Sequence, residues 1–221
     1  MTKQRGLIYF ILMAIVVSMA AAQFRMQMPR MRGIWDPVVG AGSVYQMDGR
    51  DYKGEMEFAV VGTETVGGAT GHWLEMAMKG QEGLVVMKHL YVLDGKQPTM
   101  KRMIFQTADQ PPMELPMNMP MMQMRERQSS EPMDIRQTAE RVGAESVTVP
   151  AGTFACEHWK AKDGTSEFWV AEKVSPYGVV KAITPGGTMT LIRTTSNAKS
   201  KIRGTPVMFD PAEMMRRQNP Q

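Results

Sequence analysis

The sequence predicts an all-β protein with one or two short helices, built as an open antiparallel half-barrel or curved meander sheet of about nine strands. Three observations carry this. Short apolar runs recur between residues 44 and 194, separated by turn signals rich in Gly, Pro, Asp and Ser. Inside several runs, large apolar residues alternate with charges at a period of two, which puts one set on each face of a strand. Cys156 is the single cysteine, so stability must come from a buried core and not from an intramolecular disulfide.

The chain opens on a segment that reads as a cleavable export signal over residues 1–22. Lys3 and Arg5 precede the apolar stretch Leu7–Val17, and Ala20-Ala21-Ala22 supply the small residues before Gln23. Eleven apolar residues fall short of the roughly 20 that span a bilayer as a helix, so the expectation is cleavage and no membrane span. No cysteine stands at the cleavage point, which predicts a soluble product, periplasmic or secreted. Cleavage leaves 199 of 221 residues, the size of a single domain.

Residues 23–42 carry Met, Arg, Pro and Gly without periodicity and read as a flexible leader; residues 43–221 read as the β-rich domain. The predicted strands of its first half are Val44–Met47, Lys53–Val61, His72–Lys79, Leu84–Leu93 and Thr99–Gln106, each followed or preceded by a Gly-containing turn. Met56, Phe58 and Val60, like Leu74, Met76 and Met78, share one face, with Glu55, Glu57, Glu75 and Lys79 opposite. This predicts one buried and one wet side. Leu84–Leu93 is apolar on both faces apart from Lys88 and His89, so a cover is expected over its second face.

Residues 107–128 read as a long loop, because Pro111, Pro112, Pro116 and Pro120 cannot donate to a ladder. The loop is apolar through its methionines. A short helix is expected next, capped by Ser130, with Pro132 in its first turn and Gly143 as its stop. Strands return at Glu145–Val149, Thr153–Lys160, Ser166–Ala171, Val179–Ile183 and Thr188–Thr194. Asp210 and Pro211 then signal a short terminal helix over 210–217.

A second-half phrase, Glu145-Ser146-Val147-Thr148-Val149-Pro150-Ala151-Gly152-Thr153-Phe154-Ala155-Cys156, is followed by Phe168-Trp169-Val170 and by Val174-Ser175-Pro176-Tyr177-Gly178-Val179-Val180-Lys181. Over residues 145–193 the chain resembles a group of uncharacterised exported bacterial proteins, themselves similar to the periplasmic lipoprotein-carrier and outer-membrane lipoprotein-receptor superfamily. The resemblance implies an open half-barrel whose concave face holds acyl chains under short helices. This chain has no counterpart of the carrier's lid residues and no lipidated cysteine.

After loss of Lys3 and Arg5, 24 basic residues stand against 22 acidic ones, a formal +2 that offers no footprint for nucleic acid. The three histidines, His72, His89 and His158, sit in no catalytic motif, and neither a phosphate loop nor paired-cysteine metal spacing occurs. Cys156 and His158 share a strand face, yet same-face neighbours lie about 6 to 7 Å apart, too far to hydrogen-bond directly. The expectation is no enzyme.

Methionine is the compositional anomaly, with 24 in the chain and 21 after the signal. Two readings follow. Met26-x-Met28-x-x-Met31 and Met117-x-Met119-x-Met121-Met122-x-Met124 have the close spacing that could gather thioethers around Cu(I). Thioethers are also flexible hydrophobes that line adaptable surfaces, and here they predict a pocket for an apolar small molecule or lipid. Its candidate lining is Phe58, Leu74, Met76, Met87, Met103, Phe105 and Phe168, with Met117, Met119, Met121, Met122 and Met124 as loop cover or metal ligands. A dry core and a structural role among envelope proteins is the third expectation.

Overall fold

The structure is a computed structural model, and it describes residues 33–50, 52–80, 83–94, 97–108, 110–118 and 134–210. Its strands are β1 (Gly42–Gly49), β2 (Lys53–Val66), β3 (Ala69–Gly80), β4 (Gly83–Asp94), β5 (Gln97–Thr107), β6 (Met113–Leu115), β7 (Ala139–Val149), β8 (Gly152–Ala161), β9 (Glu167–Val170), β10 (Val179–Thr184), β11 (Gly187–Thr195) and β12 (Val207–Met208), with a four-residue helix, α1 (Ile135–Thr138), before β7. They form one open sheet in the order β12-β6-β5-β4-β3-β2-β1-β11-β10-β9-β8-β7. Two meanders, β1–β6 and β7–β11, meet where β1 pairs with β11, Tyr45 opposite Leu191. Every pairing is antiparallel except β12 with β6.

The all-β open sheet agrees with the expectation, and several details differ. The runs read from the sequence are all present and number ten, one above the stated count; β6 and β12 bring the total to twelve. The predicted loop is interrupted by β6, whose three residues contain no proline and can donate to β5, Met113 opposite Phe105. The helix expected up to Val142 ends at Thr138. Beyond it the chain is captured by an eleven-residue hairpin with β8, and Gly143 marks a register shift, not a helix stop. Asp134 caps α1, accepting from the Arg136 amide at 3.0 Å. The proposed cap Ser130, residues 119–128 of the loop, the terminal helix beyond Asp210, the signal and residues 23–32 lie outside the described residues.

Residues 33–41, expected as flexible leader, are tied down. Ile34 and Asp36 amides donate to Tyr177 O and Pro176 O at 2.8 and 2.9 Å, and Ser175 Oγ donates to Asp36 O at 2.9 Å. Gly33 permits this approach, because a Cβ there would sit 2.2 Å from Tyr177 O.

The two faces of the sheet are closed by different pieces of chain. One face, marked by Tyr45, meets residues 171–178: Ser43 Oγ donates to Ser175 O at 2.7 Å, and Tyr45 OH to Val179 O at 2.8 Å. The opposite face, marked by Trp73, was expected to be wet. Instead the strap 198–206 crosses it. Glu75, 2% exposed, accepts from Ser200 Oγ at 2.6 Å and from the Lys201 amide at 2.8 Å. Lys201 Nζ reaches Glu57 at 2.8 Å, and Gln106 exchanges two hydrogen bonds with the Arg203 backbone. Ile202 packs on Trp73, Leu90 and Ile104, supplying the cover that the doubly apolar β4 requires.

Candidate functional site

Strand register lines up large side chains on the Tyr45 face in rows across the first meander. One row runs Phe58, Met76, Met87, Phe105, Met113 through five successive strands, each residue directly opposite the next. A second runs Val60, Leu74, His89, Met103, Leu115. Strands about 4.8 Å apart make the first row roughly 19 Å long. Its exposure is graded: Phe58, Met76 and Met87 are buried, whereas Phe105 and Met113 are half-buried at the β5–β6 end.

Six of the seven residues expected to line a cavity therefore fall on one contiguous surface: Phe58, Leu74, Met76, Met87, Met103 and Phe105. Phe168 shares their face, through Ala182, Met189 and Met47, but stands apart from both rows along the sheet. It is buried on β9, in register with Ala182 and Trp159, with β1, β11 and β10 between it and β2. Of the loop methionines, Met117 is half-buried in the turn after β6; Met119, Met121, Met122 and Met124 lie outside the described residues.

The inner end of the first row is aromatic. Tyr177 stands edge-on to Phe58 at 6.3 Å and tilted against Trp35 at 5.2 Å; Trp35 meets Tyr91 edge-on at 5.8 Å, and Tyr91 meets His89 at 5.8 Å. Burial, with Tyr91 and Tyr45 nearby, pushes the Tyr177 phenol well above its ordinary range. Of these aromatics Phe58 was expected to line a cavity, whereas Trp35, Tyr91 and Tyr177 were not singled out as site residues from the sequence. Trp35 lies in the segment read as leader, and Tyr177 in the turn Ser175–Gly178, where no periodicity flags burial.

The Cys156 and His158 pair occupies one face of β8 and makes no nucleophile–base contact. Cys156 Sγ, 2% exposed, donates to Phe154 O at 3.6 Å, and burial and Glu145 push its thiol up to about 11. His158 stacks on Trp169 at 4.5 Å, its Nε2 3.0 Å from Glu167 and its Nδ1 3.3 Å from Glu145. Among the described residues no group of three or more His, Cys, Asp or Glu side chains could hold a metal ion. Among them, too, no helix is long and apolar enough to cross a membrane.

No family model and no curated protein matches the chain. Solved structures with partial likeness include a protein from Bacteroides fragilis described as exported, with a YmcC-like fold; it is 11% identical, with a TM-score of 0.37, covering 75% of this chain and 100% of its own. Another, from Parabacteroides distasonis and described as a lipoprotein, is 11% identical with a TM-score of 0.35, covering 75% and 99%. Neither is described as a lipoprotein carrier or receptor, the superfamily expected at one remove from the sequence. At these scores neither bears on what this chain does.

Proposed function

We propose that the protein is an exported, non-enzymatic binding protein, periplasmic or secreted, that takes an apolar, lipid-like ligand along the Phe58–Met113 row. One observation carries the reading: five large apolar side chains in unbroken register, three of them methionines, grade from a buried aromatic end to a half-buried sheet end. Methionine suits such a surface because an unbranched thioether repacks around a flexible guest. The ligand enters at the β5–β6 end, where Phe105 and Met113 are reachable, and the methionines yield as it moves inward.

Native mass spectrometry of protein purified from producing cells tests this, with a retained lipid mass expected. Binding of a fluorescent acyl-chain probe to delipidated protein should follow, and Met113→Glu at the entrance should weaken it at least tenfold. Bare protein with no probe uptake would leave the structural reading. Retained copper would favour the soft-metal reading instead, for which Met103 opposite His89 and Met76 opposite Met87 supply thioether and imidazole donors on this same surface.

A further inference from the structure

The strap and the last strand carry apolar surface and charge that the fold itself does not use. β12 is two residues long and forms one edge of the sheet. Neighbouring residues of a strand point to opposite faces, yet Val207 is 60% exposed and Met208 57%, so neither face of β12 is covered. Val207 stands in register with Met113 and carries the first apolar row onto the edge, while Met208 stands in register with Glu114 on the Trp73 face. With half-buried Phe105, Met113 and Phe209 they make a contiguous apolar corner, unlike the single exposed residues that are ordinary on a surface. The strap adds cations. Over residues 196–210 three basic residues, Lys199, Lys201 and Arg203, stand against one acidic residue, Asp210. Lys201 is neutralised by Glu57 at 2.8 Å, but Lys199 and Arg203 are exposed, and among the described residues neither makes an ion pair. Gln106 holds the Arg203 backbone over β5, two strands from the edge.

We infer that this corner, the β12 edge with the outer side of the strap, docks the protein on an anionic phospholipid bilayer. Val207 and Met208 enter the boundary between headgroups and acyl chains, and Lys199 and Arg203 meet lipid phosphates. Affinity for such a surface grows with the apolar area buried and with each basic residue brought near it, and both are present side by side here. A protein strand adding to the edge is the poorer occupant. Two residues offer few main-chain bonds, Pro206 has no N–H to give, and the Val207 and Phe209 amides already donate to Pro112 O and Glu114 O at 3.0 and 2.9 Å. The inference does not depend on the ligand reading above, because a row packed as dry core leaves this corner unchanged.

Flotation of the purified protein with vesicles of equal parts phosphatidylglycerol and phosphatidylcholine tests the assignment. Wild type should float with them at about 0.1 M salt and be released at about 1 M, and it should ignore vesicles of phosphatidylcholine alone. Lys199→Gln with Arg203→Gln should lower the partition coefficient about tenfold or more, and Val207→Ser with Met208→Ser about fivefold or more. The Gln pair leaves every backbone bond of the strap in place, so its urea midpoint should match wild type and a lost interaction is not a lost fold. Uptake of a soluble acyl probe should also be unchanged in that pair, which tells failure of the edge from failure of the row. Wild type that ignores the anionic vesicles, equal flotation with both vesicle types, or either double variant floating as wild type does overturns the inference. Wild type that ignores vesicles but forms dimers, with Val207→Ser and Met208→Ser abolishing them, overturns it in favour of strand pairing at the edge.

Discussion

Trp73 in the first meander and Trp169 in the second are set by the same device and finished differently. Each indole N–H donates to a carboxylate, Glu64 for Trp73 and Glu145 for Trp169, and each ring lies beneath a lysine, Lys88 at 4.7 Å and Lys181 at 4.9 Å. Around Trp73 a guanidinium completes the group: Arg102 forks onto Glu114 at 2.6 and 2.8 Å and onto Glu64 at 2.7 and 2.9 Å, and Ile202 of the strap closes over the indole. Around Trp169 the completing group is the stacked His158, and its carboxylate Glu145 stays about half exposed. The Trp73 group thus joins β2, β3, β5 and β6 beneath a second layer, whereas the Trp169 group is a pair of cross-strand contacts at the rim. Both indoles are buried, 6% exposed for Trp73 and 8% for Trp169, so the groups differ in the strap over Trp73 and not in the burial of the ring.

The sharpest way to break this contrast is truncation. Trp73→Ala should cost about 3–5 kcal/mol, as expected for a large buried aromatic. Trp169→Ala, which removes an equally buried ring but no strap contact, should cost at least about 1 kcal/mol less, because its half-exposed partner Glu145 can turn to water. Equal losses in urea denaturation would mean that the strap adds nothing. Next in size, Glu75→Ala should cost about 1–3 kcal/mol by leaving the Ser200 hydroxyl and the Lys201 amide without their acceptor. Limited proteolysis should then cut within residues 196–206, and an uncut strap would sink that expectation.

A smaller effect separates the two groups by pH. The hydrogen bond from Arg102 holds the Glu114 carboxyl below its usual range. A depressed folded value means that the stabilisation is complete above the unfolded carboxyl's ordinary pKa, about 4.3, and is lost as pH falls through the lower folded value. Arg102→Met should cost about 1–2 kcal/mol at neutral pH and flatten the stability profile between about pH 5 and pH 3. An unchanged acid limb would show that other carboxylates govern it. Smallest is Cys156, beside the Trp169 group. With its thiol pushed up to about 11 and buried, it should stay unlabelled by a thiol reagent at neutral pH until urea unfolds the chain, and Cys156→Ala should shift stability by about 1 kcal/mol or less.

What could be read in advance follows from periodicity. Phe58, Met76, Met87 and Phe105 fell on one face because alternation is a property of a single strand, legible residue by residue. That Phe168 lies elsewhere depends on strand order, which no local pattern carries. Glu75 looked solvated because a glutamate normally marks water; its burial depends on Ser200 and Lys201, 125 and 126 residues away. The residues from Ala139 to Gly143 looked helical through their caps, and lost that conformation to a hairpin partner in β8. Tyr177, buried, and Trp35, half-buried, were missed for the same reason: each is covered by a segment that packs from a distance, not by its own strand.

The joint between the two meanders also sets the order in which the molecule is completed. Hairpins within each meander need only their neighbours, but Tyr45 must wait for Leu191, and Glu75 must wait for Ser200. Such separations give the fold a high contact order, and closing those long loops slows it. The first meander therefore has no settled edge and no strap until nearly the whole chain has been synthesised. A partly made chain is left unlocked, and the last strand and strap to arrive act as the latch.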